Sequence, residues 1–234
     1  MKRKMLSLKF FVMHLWDKEI AKWIAMRLEE TYHPKPIEII CYHCRKSAGK
    51  GSMQMETERL ILRHWEDSDA EDLFKYASDP DVGPIAGWPP HQSINESRDV
   101  IRNVLGGKEA YAICQKEDGR AIGAIELKLN GHTDMTDRDD ECELGYWLGK
   151  SFWGQGIMPE AVREILRHAF EECGMKKVWC GYYEGNNKSK RVQEKTGFKY
   201  QWKSENVDVP LMHEKRTGHV SLMTKEDWEI MQGS

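Results

Sequence analysis

One stretch, residues 143–161, constrains the fold more than any other part of the chain. Apolar residues alternate with other residues over 143–148, which is the period of a β-strand. Gly154 and Gly156 then form a tight loop, and apolar residues recur at helical spacing over 161–173. The sequence therefore predicts a strand, a glycine loop and a helix in direct succession.

The start of that helix is a predicted anion-binding site. The first N–H groups of a helix lack intrahelical partners and lie at the positive end of the helix dipole. Glycines let a phosphate approach the backbone closely. A pyrophosphate would fit at residues 154–159.

Two better-known nucleotide motifs do not match this stretch. The run from Gly145 to Ser151 is one residue short of a P-loop, and its central residues continue the strand. A Rossmann fingerprint fails because Pro159 takes the place of the third glycine. A glycine turn that binds no ligand is the simplest alternative, because one short motif is weak evidence.

The segment Trp153-Gly-Gln-Gly-Ile-Met158 resembles motif A of the GNAT superfamily, the CoA-dependent N-acyltransferases, and departs from that motif at its first and last positions. With the Gly-Tyr-Trp-Leu before it, the segment is similar to the branch of ribosomal-protein N-terminal acetyltransferases, the RimL/RimJ type. A second block, residues 186–198, resembles the same branch in its N-x-x-S and E-K-x-G-F elements. The resemblance covers about residues 55–228.

The resemblance implies an α/β fold with a GNAT-like mixed, splayed central β-sheet flanked by helices. We assign residues 55–234 to this domain. Residues 1–54 are predicted to form an N-terminal helical appendage, with an amphipathic helix, a short strand and a basic linker of glycine and serine.

The resemblance also implies acetyl-CoA as co-substrate. Backbone N–H groups at a bulge in the central strand would bond the pantetheine and the thioester oxygen. Basic residues at 188, 190 and 191 lie where they could pair with the ribose 3′-phosphate. The implied cofactor-binding residues are Trp147, Leu148, Trp153, Gly154, Gln155, Gly156, Ile157, Met158, Asn186 and Ser189.

Amide formation needs a base for the amine and a proton for the leaving thiolate. Glu143 on the central strand is our first candidate for the base, and Glu141 lies on the same face. His132 and Asp134, in the connection before the strand, are the alternatives. Ser189 matches the family position that protonates the thiolate. Each has a plain structural alternative: an exposed strand carboxylate for Glu143 and a helix cap for Ser189.

The loop between the first two predicted helices is expected to line the acceptor pocket, so Trp88 and His91 are candidate substrate contacts. Trp88 could equally pin that loop to the core. The segment 134–140 carries four aspartates, which either form a solvated loop or attract a cationic acceptor. Two acceptor classes remain open: a protein N-terminus, or a small cationic amine such as a polyamine or an aminoglycoside.

Composition excludes several other classes of protein. A net charge of −3 argues against a nucleic-acid binder that works by overall charge. The sequence contains no run of 18 apolar residues, so no membrane span is predicted. We expect a cytoplasmic protein. The pair Cys41 and Cys44, with histidines at 33 and 43, lacks a second ligand pair, so no metal is expected. Cys180 has no matching histidine and is not a predicted nucleophile.

These features predict direct acetyl transfer within a ternary complex, without a covalent enzyme intermediate. The alternative is a non-catalytic CoA-binding or regulatory module. The late strands either cover the acceptor pocket or pair with a second subunit in a homodimer, and the sequence leaves both roles open.

Overall fold

A computed structural model describes residues 54–133 and 135–233. The predicted helix, strand, linker and Cys41/Cys44 pair of the N-terminal extension lie outside the described residues, as does Asp134. Among the helices of the described part, none has the length and apolar content needed to cross a bilayer.

The predicted mixed sheet is confirmed. Eight strands lie in the order β1-β2-β3-β4-β5-β6-β8-β7, and every neighbouring pair is antiparallel except β5 and β6, which are parallel. The strands are β1 (Gln54–Glu56), β2 (Leu60–Arg63), β3 (Ala110–Gln115), β4 (Ala121–Lys128), β5 (Glu141–Leu148), β6 (Lys177–Tyr183), β7 (Lys199–Val209) and β8 (Glu214–Thr224).

The described part of the chain also contains six α-helices: α1 (Ala70–Ala77), α2 (Gly83–Ala86), α3 (Ile94–Asn103), α4 (Ile157–Arg167), α5 (Asn187–Lys195) and α6 (Lys225–Gln232). A single π turn, His168–Glu172, continues α4 to Gly174, whose positive φ of 70° ends it. Glycine commonly ends a helix, so the sequence predicts a stop at Gly174, and the structure confirms it.

Strands β5 and β6 stay together for only half of β5. Their register runs from Glu141 opposite Lys177 to Leu144 opposite Cys180, whereas β5 remains paired with β4 as far as Leu148. The second half of β5, residues 145–148, therefore has no strand partner on its β6 side. The divergence opens a slot through the sheet.

The two faces of the sheet carry different helices. On one face, α4 packs on Leu144 and Ile125 through Ile165 and Leu166, all of them buried. On the other face, α1 and α3 cover small side chains such as that of Ala124. Side chains alternate along a strand, so residues 141, 143, 145 and 147 of β5 lie on the α1/α3 face.

The sequence predicts helix caps at Ser68, Ser93 and Thr224, and the structure confirms two of the three. Ser93 accepts a hydrogen bond from the Glu96 amide, and Thr224 caps α6 in the same way. The predicted cap at Ser68 is wrong. Asp69 instead accepts from the Glu66 amide at 2.8 Å and forms a two-bond ion pair with Arg63, so the charged pair fixes where this turn starts.

Strands β7 and β8 are longer than their sequences predict. Residues 203–209 read as a polar connection because they lack alternating apolar side chains. In the structure they continue β7 and pair with β8, with register irregularities near residues 200–202 and 204–207. Backbone pairing with β8 therefore decides the conformation where the side-chain pattern is weak.

A buried ion pair joins the start of β3 to the end of α4. His168, 2% exposed, lies 2.8 Å from a carboxylate oxygen of Glu109, 6% exposed, and its other ring nitrogen lies 3.0 Å from Glu172. Burial opposes the charge on His168, but hydrogen bonds with Cys173 and Glu109 outweigh it and raise its pKa to about 10. The pKa of Glu109 is lowered, because its bonds to His168 and Tyr111 outweigh burial.

We expect His168→Gln to lower the free energy of unfolding by about 3–5 kcal/mol near neutral pH, because it removes the buried cation beside the Glu109 carboxylate and leaves only the exposed Lys108, 3.7 Å away. The stabilisation from His168 is complete below its unfolded pKa of 6.5 and is lost as the pH rises through about 10. The difference between wild type and variant should therefore shrink from about pH 6 to about pH 10 in urea unfolding.

Glu229→Gln is the matched control. It breaks an exposed ion pair with Lys225, whose charged atoms lie 3.9 Å apart, and should cost less than about 1 kcal/mol. Equal losses for the two variants would contradict a stabilising role for the buried pair.

Candidate active site

The start of α4 lies where the chain leaves β5. Gly156 is the N-cap, with a positive φ of 76° and no side-chain cap, so the first N–H groups of α4 have no side-chain acceptor. A Cβ atom added at Gly154 would meet no atom within 4 Å, which leaves open space against the backbone. This loop is therefore accessible to an anion.

Two basic side chains lie at this loop. Arg59 donates to the Gln155 carbonyl at 3.0 Å and pairs with Glu160 of α4 at 2.7 Å. Lys188 of α5 places its ammonium 4.1 Å from the centroid of the Trp153 ring. Of the three predicted phosphate partners on α5, Lys188 is thus the one with a contact to the loop. Backbone donors and cations around an open loop fit the phosphates of CoA.

The indole of Trp153 fixes the end of β5 against the loop. Its N–H donates to the Leu148 carbonyl at 2.8 Å. Trp147, on the other face, has its backbone in the part of β5 that β6 does not pair. The structure thus brings the predicted residues 147–158 together at the end of β5 and the start of α4, and their roles in binding acetyl-CoA stay predictions.

Ser189 lies on the α4 face of the slot beside a residue that the sequence reasoning missed. The Tyr146 hydroxyl lies 2.9 Å from the Ser189 hydroxyl, and burial raises the pKa of Tyr146 far above its usual range. Asn186 caps α5 by accepting from the Ser189 amide at 3.2 Å. A tyrosine on the apolar side of a strand needs a partner for its hydroxyl, which is the signal that could have identified Tyr146.

Both carboxylate oxygens of Glu141 accept hydrogen bonds within the fold. It is 4% exposed and accepts hydrogen bonds from Trp179 at 2.7 Å, Lys177 at 2.9 Å and Thr136 at 3.0 Å. Burial raises its pKa, but these bonds outweigh burial, so the net pKa is lowered. Its geometry suits an anchor of the 130–140 connection better than a proton acceptor.

Glu143 also has partners. It is 6% exposed, and it accepts from Lys128 at 2.9 Å and from Thr133 at 2.5 Å. The side chain of Lys128 passes over Gly145, where an added Cβ would lie 3.3 Å from its Cε. Burial opposes the charge on Lys128, but Glu143 and Glu126 outweigh it and raise its pKa. Glu143 is thus held in an ion pair, and its role as base stays a prediction.

Glu126 on β4 is the second residue that the sequence reasoning missed. It lies directly opposite Gly145, on the face that carries Glu143 and Trp147. Burial raises its pKa above the usual 4.5. The available signal was a lone acidic residue in the otherwise apolar run of β4, residues 121–127.

Trp88 and His91 do lie beside the slot. The Trp88 ring contacts both the Trp147 ring, with centroids 5.9 Å apart, and the His91 ring at 5.5 Å. Trp88 is also packed tightly on Gly83, so it both faces the slot and pins its loop. His91 bonds Ser97 at 2.8 Å, and burial lowers its pKa to about 4, which keeps the ring neutral at pH 7.

The far wall of this region comes from β6 and β8. Arg216 donates to the Pro84 carbonyl at 2.7 Å and lies over the Tyr183 ring at 5.1 Å. An added Cβ at Gly87, whose φ is 99°, would come within 2.9 Å of Tyr183. Residues 83–91 are thus held against the end of β6 and the start of β8.

The connection before β5 holds most of the remaining sequence candidates. His132 is exposed in the connection before β5. In that connection Asp140 pairs with Arg138 and Lys176, and Asp139 accepts from Asn130. This local pairing favours the solvated-loop interpretation. Cys180 is fully buried and burial raises its thiol pKa, which does not favour a nucleophile.

Comparison with known proteins identifies the family. Residues 59–199 match the model of the acetyltransferase (GNAT) domain. The chain belongs to the GNAT acetyltransferase family. It is therefore an N-acetyltransferase of the family that uses acetyl-CoA, and the resemblance to the ribosomal-protein branch is confirmed by its relatives.

Three relatives illustrate this placement. The N-acetyltransferase p20 of Bacillus licheniformis is 29% identical over 52% of this chain and 68% of its own. YdaF of Bacillus subtilis (strain 168), a candidate ribosomal N-acetyltransferase, is 35% identical over 48% of this chain and 58% of its own. A Vibrio cholerae structure, described as a candidate ribosomal-protein-serine acetyltransferase, shares the fold with a TM-score of 0.61 at 20% identity, covering 74% and 97% of the two chains.

We expect Gly154→Ala to weaken acetyl-CoA binding about tenfold, which is about 1.4 kcal/mol, because the methyl group occupies the space beside the anion loop. Calorimetric titration of the variant with acetyl-CoA measures this change. An alanine held at the φ of 78° found at Gly154 also adds strain of about 1–2 kcal/mol to the fold.

Gly174→Ala separates the two effects. Gly174 has a similar φ of 70° and equally open surroundings, but it lies at the far end of α4. Both variants should lose similar stability, and only Gly154→Ala should lose affinity. Equal acetyl-CoA affinities would contradict the assignment of this loop.

Proposed function

We propose that this protein transfers the acetyl group of acetyl-CoA to a primary amine directly, within a ternary complex. The observation that carries the proposal is the slot between β5 and β6. It runs from the anion loop at α4 to a face lined by carboxylates and aromatic rings. Both substrates can therefore meet at one point, which is the main requirement for this reaction.

The two faces of the sheet supply the two proton transfers. On the α1/α3 face, a carboxylate takes a proton from the acceptor ammonium, and the freed amine attacks the thioester carbonyl. The N–C bond forms, the C–S bond breaks, and the nitrogen releases its second proton to solvent water to give the amide. On the α4 face, the Ser189 hydroxyl, bonded to Tyr146, donates a proton to the departing thiolate. The backbone N–H groups of residues 145–148 that face away from β4 have no strand partner in the described part of the chain and are suited to bind the thioester oxygen.

We propose a protein N-terminus as the acceptor, with a small amine as the second candidate. The names of YdaF and of the Vibrio cholerae structure describe ribosomal acceptors for those proteins. In this chain, two of the aspartates that would attract a polycation, Asp139 and Asp140, are paired with neighbouring residues. The slot offers aromatic walls at Trp88 and Trp147, which suit a single amine on an apolar or peptide scaffold.

A kinetic experiment tests the reaction class. Initial rates of thiol release should rise with both substrates and give intersecting double-reciprocal lines. We expect turnover with a peptide bearing a free N-terminus in preference to spermidine or kanamycin. Parallel lines, or an acetylated enzyme after incubation with acetyl-CoA alone, would contradict direct transfer.

Ser189→Ala and Tyr146→Phe test the proton donor. Each should lower kcat about 10²-fold, because the thiolate then leaves without its proton, while acetyl-CoA affinity stays within about threefold. Tyr200→Phe is the control, since Tyr200 is 54% exposed on β7. Unchanged kcat in both test variants would remove this pair from the mechanism.

A further inference from the structure

On the α1/α3 face, Glu126 lies between two cross-strand neighbours that carry little or no side chain. Its partner on β5 is Gly145, and its partner on β3 is Ala110. Cross-strand partners lie side by side on one face, so neither partner places a bulky side chain of its own against the Glu126 carboxylate. The Lys128 side chain crosses over Gly145 on its way to Glu143. The next cross-strand pair, Ala124 and Trp147, places the Trp147 ring beside this space.

The state of its carboxylate separates Glu126 from the other two acids. Glu141 and Glu143 accept five hydrogen bonds between them, including ion pairs to Lys177 and Lys128. Within residues 54–133 and 135–233, Glu126 has no hydrogen-bond or ion-pair partner. A half-buried carboxylate without partners is a favourable site for an incoming ammonium, because that ligand restores the missing interactions.

We propose that Glu126 is the catalytic carboxylate that receives the acceptor ammonium and takes its proton. This proposal rests on the proposed function. The proton moves from nitrogen to a Glu126 oxygen, the nitrogen lone pair forms the bond to the acetyl carbon, and the C–S pair leaves with the thiolate. The nitrogen releases its second proton to solvent water as the amide forms, and the thiolate takes a proton from Ser189, which regains one from water.

The charges around Glu126 suit this role. Burial disfavours its ionised form, and the neighbouring Glu143 carboxylate does the same, while Lys128 and His132 favour ionisation. The net result is a raised pKa, which makes Glu126 a stronger base than an exposed glutamate. Lys128 itself is committed to Glu143 at 2.9 Å, so it does not neutralise Glu126 by direct contact.

Glu126→Gln tests the proposal in the full-length chain with acetyl-CoA and the best amine of the panel. We expect kcat/KM for the amine to fall about 10²–10⁴-fold and acetyl-CoA affinity to stay unchanged. In the wild type, activity should rise with pH through the pKa of Glu126, above 4.5, and this acidic limb should disappear in the variant. Glu126→Asp should recover part of the activity.

Glu117→Gln is the control: it makes the same chemical change in the exposed turn between β3 and β4 and should leave activity unaltered. Suppose that the wild type turns over and that the Glu126→Gln variant keeps its acidic limb and a kcat/KM within threefold of the wild-type value. That result would overturn this inference and leave the proposed function standing. A parallel loss of acetyl-CoA affinity would also overturn it, because Glu126 would then support the fold. An inactive wild type would overturn the proposed function and this inference with it.

Discussion

The early divergence of β5 from β6 is the constraint on which the site depends. The two parallel strands share four register pairs, and β5 then continues for four residues held by β4 alone. A continuous sheet would consume these backbone groups in ladder hydrogen bonds. Because the pairing of β5 with β6 ends early, backbone N–H and C=O groups of β5 inside the slot, next to the uncapped start of α4, have no strand partner among the described residues.

The slot also separates the chemistry by face. Side chains alternate along β5, so Glu143, Gly145 and Trp147 point to the α1/α3 face, and Tyr146 points to the α4 face. A proton acceptor and a proton donor can therefore lie on opposite sides of one reacting bond without neutralising each other. Because Gly145 has no side chain, the Lys128 side chain can pass over it to reach Glu143.

Two of the buried acidic side chains near the slot stabilise the fold. Glu141 holds the connection before β5 through Thr136 and joins β6 through Trp179. Glu143 plays a similar part with Thr133 and Lys128. Buried carboxylates with several donors are costly to disturb, so they stiffen the frame around the reaction. Glu126 differs from both, because its carboxylate has no such partner within the part of the chain that the structure describes.

The sequence by itself determined the parts of this protein that depend on neighbours in the chain. The glycine loop, the start of α4, the caps at Ser93 and Thr224 and the block around Ser189 all follow from residues a few positions apart. The cap predicted at Ser68 failed because Arg63 recruits Asp69, a contact that local patterns do not reveal.

Only the tertiary structure decided which carboxylate is available. Residues 126, 141 and 143 are all acidic strand residues in the sequence, and nothing local distinguishes their tasks. Their difference arises from strand register, which places Gly145 beside Glu126 and Lys128 beside Glu143. The pairing of Tyr146 with Ser189 likewise joins residues 43 positions apart. Hydrogen-bond partners across a sheet are set by the packing of distant segments, so the chemistry of a strand residue becomes visible only in the folded chain.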